Sequence, residues 1–184
     1  MPRLPLASRD NVPENQRDLF DTLVGDGPVP NRGPGSVYIH VPEAAQRLTS
    51  LNNYLRRDSS LPDKILELAM LVTAREFDCQ HIWNAHAASA RAAGVPDELV
   101  DALREGEELI DLAPDEEAVV NYGQEFYRTH NVSRGAWQAA HEQFGKQGII
   151  ELTLVMGNYA ALAFCINAFD TELPPERDEK LLPV

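Results

Sequence analysis

At 184 residues, with 43% hydrophobic and 24% charged residues, the chain has the composition of one globular domain rather than of a disordered or fibrous protein. Sixteen Lys and Arg against 29 Asp and Glu give a formal net charge of −13, which would repel nucleic acid and anionic membranes. Two cysteines, Cys79 and Cys165, are too few for a secreted disulfide scaffold. The opening MPRLPLASRDNVPENQ lacks the apolar core of a signal peptide, so a cytoplasmic location is expected.

In chain order, a helix is predicted from Pro13 to Val24, followed by GDGPVPNRGPGS, whose Gly and Pro content predicts a loop over 25–36. This loop lacks a GxGxxG order, which makes a connector the better reading than a phosphate cradle. SVYIHV is strand-like but too short and isolated to build a sheet. Helices are then expected from Pro42 to Arg57, from Pro62 to about Phe77 and from about Cys79 to Ala93, where Gly94 stops the last. Pro96 opens another that ends near Gly106. Pro114 to Glu117 opens the next with acids at the positive end of the helix dipole, and Ser133 caps the one after. The last helix runs from about Gln147 to Phe169. Its uncharged stretch from Leu152 is interrupted by Asn158 and Asn167, which favours a buried helix over a membrane span. ELPPERDEKLLPV reads as a surface tail.

The class is therefore all-α. Three regions are expected: an N-terminal helix and Gly/Pro-rich loop over 1–36, a helical domain over 37–170 and a tail over 171–184. KILELAML at 64–71 and GIIELTLV at 148–155 superpose with Glu67 against Glu151, which suggests an internal duplication of a helical unit.

Glu67 stands in a run that is apolar on every helical face, so its carboxyl must be paired, hydrogen-bonded or protonated, and a proton-transfer site needs such a group. The alternative is a structural partner for an arginine. On the next helix Cys79, Trp83 and His86 lie at i, i+4 and i+7 and share one face. Cys79 sits at the helix N-terminus, where the dipole would lower its thiol pKa. His86 could take or return a proton at neutral pH. His81 is turned by about 200° from Cys79 and points elsewhere. Trp83 is expected in the core or walling a pocket. Two histidines five residues apart diverge by about 140°, unlike the i, i+4 pair of zinc peptidases, and His141-Glu142 meets Gly145 where a second histidine would stand. No bound metal is expected.

The spacing of Glu67, Cys79, His81 and His86 resembles that of AhpD-like alkylhydroperoxidases, but Ile82 replaces the second cysteine of their CxxC. The chain more closely resembles the carboxymuconolactone decarboxylase-like branch of that superfamily. The resemblance runs from GPGSVYIHVPEAAQRL through LPDKILELAMLVTAREFDCQHIWNAHAASARAAGVPDELVDAL to IIELTLVMGNYAALAFCINAF. It rests on an LHxPE-like stretch at His40 to Glu43, on Glu67, and on Gln80, Trp83 and His86 in Gln-x-x-Trp-x-x-His. Many relatives carry an acid before the tryptophan, where this chain has Ile82.

The resemblance implies an AhpD-like helical bundle that self-associates into dimers, trimers or hexamers, with a small-molecule pocket beside the Glu and His helices. It implies cofactor-free acid/base chemistry on a lactone or small carboxylic acid. His86 would be the acid/base and Glu67 its partner, with His40, Gln80, Trp83 and His81 lining the pocket. Two other readings stand beside it: a single-cysteine peroxidase acting through Cys79, and a catalytically silent oligomeric binding protein.

Overall fold

The computed structural model describes residues 2–175, 177 and 179–184, leaving Met1 and, within the expected tail, Glu176 and Asp178 outside the described residues. These residues form eight α-helices and no strand. They are α1 (Arg17–Val24), α2 (Gly33–Tyr38), α3 (Pro42–Asn53), α4 (Asp63–Glu76), α5 (Gln80–Ala92), α6 (Asp97–Glu105), α7 (Pro114–Thr129) and α8 (Arg134–Phe169). A π-helical turn, Tyr54–Asp58, continues α3.

Local chemistry accounts for most boundaries. Pro42 and Pro114 occupy first-turn positions where a missing N–H costs nothing, and Ser133 Oγ accepts from the Ala136 amide at the start of α8. Gly145 interrupts α8 with φ 65° and ψ −175°, a conformation essentially reserved for glycine, so this helix comprises two segments.

Two expectations are corrected. The Gly/Pro loop ends at residue 32, because Gly33 to Tyr38 form a short helix that absorbs the first half of the strand-like SVYIHV. Pro34 presets a helical φ in its first turn, and no strand is available to pair with. Gly33 has φ +60°, and a Cβ there would collide with the His81 ring, so this glycine lets α2 approach α5. The C-terminal tail is docked rather than free. Leu182 is only 3% exposed, the Lys180 carbonyl accepts from Trp83 Nε1 at 3.1 Å, and the Leu181 carbonyl accepts from Arg104 Nε at 2.7 Å. One apolar side chain and two backbone acceptors are enough to hold an extended segment on α5 and α6.

The core is centred on α4, which packs against α5, α6, α7 and α8. Ile65, Leu66 and the run Leu68 to Ala74 are buried, each large side chain contributing about 1.5–3 kcal/mol. The apolar length of α8 is used inside the protein, with Leu152, Val155, Met156, Tyr159, Ala163 and Ile166 buried. A smaller cluster of Ala7, Val12, Phe20 and Ile39 joins the N-terminal segment to α1 and α2.

Candidate functional site

The site is built by the reversal between α4 and α5. Phe77 and Asp78 make the connection, Asp78 takes a left-handed φ of 48° that aspartate tolerates, and the Cys79 amide donates to the Ala74 carbonyl at 2.8 Å. The helices therefore run antiparallel in close contact, and Glu67 meets His86 across them. His86 Nδ1 lies 2.8 Å from Glu67 Oε2, with the two side chains 9% and 13% exposed. A carboxylate only accepts, so Nδ1 donates in this bond, which leaves Nε2 as the ring nitrogen turned to other partners. No hydrogen bond from the described residues engages Nε2.

Two further residues complete the surroundings. The Tyr159 ring of α8 meets His86 edge-on at 5.2 Å and 78°. Burial raises the pKa of its hydroxyl, the Arg56 guanidinium opposes that rise, and the Glu67 carboxylate adds to it. Arg56, exposed on the π-helical turn, has no hydrogen bond or ion pair among the described residues. It is an uncommitted cation whose charge acts on the Tyr159 hydroxyl. Sequence reasoning missed both residues. The available signals were a tyrosine in an uncharged buried helix, where its hydroxyl needs a partner, and adjacent arginines in an acidic chain.

The remaining expected residues do not gather on this pair. Cys79 is fully buried, and burial raises its thiol pKa despite opposing hydrogen bonds from the Ile82 and His81 amides, which overturns the expected depression. Trp83 is buried, with its N–H taken by the tail. Ile82, at the position of the second cysteine in the AhpD-like pattern, is a core residue. His81 packs on Gly33 with Nδ1 buried and unpartnered, and its pKa is lowered by burial, with the Glu172 carbonyl opposing and His86 adding to the effect. His40 Nε2 sits 3.2 Å from the Pro5 carbonyl in the N-terminal layer, and Gln80, at the first position of α5, makes no side-chain hydrogen bond among the described residues. A groove of about 600 Å³ lies between α7 and the first segment of α8, lined by Asn121, Glu125, Arg128 and Glu142 among others, and shares no residue with the dyad.

Residues 42–125, which include α4, the reversal and α5, match the Carboxymuconolactone decarboxylase family. No curated protein matches the chain. Among solved structures, an uncharacterized peroxidase-related protein from Silicibacter sp. TM1040 superposes with a TM-score of 0.72 at 17% identity, covering 95% of this chain and 92% of its own. The alkylhydroperoxidase AhpD core of an uncharacterized peroxidase-related protein from Ralstonia eutropha JMP134 gives 0.71 at 17% identity, covering 95% and 93%. A protein of unknown function from Agrobacterium tumefaciens, described as a candidate AhpD antioxidant defence protein, gives 0.66 at 18% identity, covering 73% and 93%. Residues 42–125 are thus similar to the carboxymuconolactone decarboxylase family, and the chain has an AhpD-like helical fold.

Proposed function

We propose that the protein is an acid/base enzyme acting on a small carboxylic acid or lactone, with His86 moving the proton and Glu67 orienting it. The observation that carries this reading is the 2.8 Å bond between His86 Nδ1 and Glu67, which leaves Nε2 for substrate. A carboxylate held on Nδ1 fixes the tautomer and stabilises the imidazolium that forms when Nε2 takes a proton. Arg56 is the cation suited to a substrate carboxylate. In a decarboxylation, Nε2 first takes a proton from solvent to give the imidazolium; the C–C bond to the carboxylate then breaks, carbon dioxide leaves, and the electron pair left on carbon takes that proton from Nε2, which returns the ring to its neutral form.

Thiol peroxidase chemistry is the other activity suggested by the peroxidase-related neighbours. The buried Cys79 with its raised thiol pKa weighs against it. Carbon dioxide release from a γ-carboxylated lactone tests the choice. Turnover that Cys79→Ser retains and His86→Gln loses supports acid/base chemistry. Hydroperoxide reduction with an external thiol, lost in Cys79→Ser, overturns it.

A further inference from the structure

Most tyrosine hydroxyls of this chain are committed to partners inside it. Tyr54 donates to the Glu151 carboxylate at 2.7 Å, Tyr122 pairs with the Thr153 hydroxyl at 2.8 Å, and Tyr127 donates to the Met156 carbonyl at 2.9 Å. Tyr159 differs from them. The residue is only 2% exposed, yet its hydroxyl makes no hydrogen bond among the described residues. A buried phenol without an acceptor lowers stability, so packing alone gives no reason for a hydroxyl here.

The hydroxyl is also not sealed in. Ser59 Oγ and Asn158 Oδ1 have no partner and are cut off from solvent, whereas the Tyr159 hydroxyl and His86 Nε2 have no partner and keep contact with solvent. The two rings meet edge-on with centroids 5.2 Å apart, which sets both open atoms within reach of one small ligand. Burial raises the pKa of the phenol, Arg56 opposes the rise and Glu67 adds to it, so the hydroxyl stays protonated at neutral pH and donates. Its counterpart is therefore an acceptor on the ligand. A buried donor acts most strongly on an oxygen that becomes negative during the reaction.

In an unsaturated γ-carboxylated lactone that oxygen is the ring carbonyl. When the C–C bond to the carboxylate breaks and carbon dioxide leaves, the electron pair passes through the conjugated ring onto the carbonyl oxygen and gives an enolate. The His86 imidazolium then protonates carbon, and the C=O bond re-forms. Glu67 is an anion 2.8 Å from His86 and repels an enolate, so the pair alone leaves this charge unsupported. We infer that the Tyr159 hydroxyl donates to the lactone carbonyl oxygen as it becomes an enolate, and holds that charge while His86 delivers the proton. Tyr159 keeps its own proton throughout. Arg56 draws electron density from the hydroxyl and strengthens it as a donor. The inference rests on the acid/base reading of Glu67 and His86 and supplies the electrophile that reading lacks.

Tyr159→Phe keeps the ring against His86 and removes only the hydroxyl. With a γ-carboxylated lactone as substrate, the expected result is a kcat lower by about 100-fold or more, with KM changed by less than about threefold and the circular dichroism unchanged. Tetronate gives a readout without turnover, since this five-membered lactone is ionised at neutral pH and shares its negative charge with the carbonyl oxygen. In calorimetry the wild type is expected to bind it, and Tyr159→Phe to bind about 10-fold or more weakly. Arg56→Gln, at an exposed and unpaired position, is expected to weaken tetronate as well, and decides the matter if Tyr159→Phe fails to fold. No binding by the wild type, or binding indifferent to these substitutions, overturns the proposal. Turnover that needs His86 but not the Tyr159 hydroxyl overturns it and leaves the acid/base reading standing. Tyr159-dependent binding of tetronate without decarboxylation of any lactone supports the donor and removes the decarboxylation instead.

Discussion

Glu151 is the buried carboxylate whose contribution to stability can be worked from its surroundings. It is 2% exposed and accepts from the Tyr54 hydroxyl at 2.7 Å, the Ser60 amide at 2.8 Å, the Ser60 hydroxyl at 2.5 Å and Gln147 Nε2 at 3.0 Å. Burial pushes its pKa up, but these hydrogen bonds to the ionised form outweigh burial and bring it from 4.5 to about 2. A folded-state value below the unfolded one stabilises the fold above the unfolded pKa, and the contribution is lost as pH falls from about 4.5 toward 2. The full effect is roughly 3 kcal/mol near neutrality, of which roughly 2 kcal/mol is gone by pH 3. Glu151→Gln removes the ionisation at nearly constant shape. Urea unfolding of both proteins at pH 6 and pH 3 should show the variant less stable by about 3 kcal/mol at the higher pH and by about 1 kcal/mol at the lower. A gap that stays constant across this range would refute the argument, because the deficit would then come from shape or unpaired donors rather than from charge.

Two further outcomes follow from burial. Leu182→Ala should cost about 2 kcal/mol in urea unfolding and red-shift the emission of Trp83 in a Trp137→Phe background, because the tail that bonds the indole loosens; unchanged stability and emission would mean that the tail is not docked in solution. Iodoacetamide at neutral pH should modify Cys79 only under unfolding conditions, since burial keeps its thiol protonated above the ordinary range. Rapid native alkylation of Cys79, detected by mass spectrometry, would contradict this.

What could be read from the sequence was whatever adjacent residues decide. Proline at helix starts, Ser133 at a cap and the apolar run around Glu67 are local signals, and each marks an element of the structure. The pairing of Glu67 with His86 was within reach because a short reversal joins their two helices, and a buried carboxyl needs a partner nearby. Arg56 and Tyr159 left weaker signals, since the first lies on a π-helical turn and the second on α8, far along the chain. Cys79 shows how a local argument can be overridden: the helix N-terminus does favour a thiolate, but the core closes over the sulfur and desolvation prevails. The tail lies at the surface, as its prolines and charges suggest, but Leu182 and two backbone carbonyls hold it against α5 and α6, which no local pattern announces.

The central claim is that Glu67 and His86 act as one proton-transferring unit. Turnover of a γ-carboxylated lactone by Glu67→Gln, His86→Gln and the double variant, each shown to be folded, tests it most directly. The account predicts that either single substitution lowers the rate by about 10²–10⁴-fold and that the double variant is hardly worse than His86→Gln alone. Full activity in His86→Gln, or losses that multiply in the double variant, would contradict it.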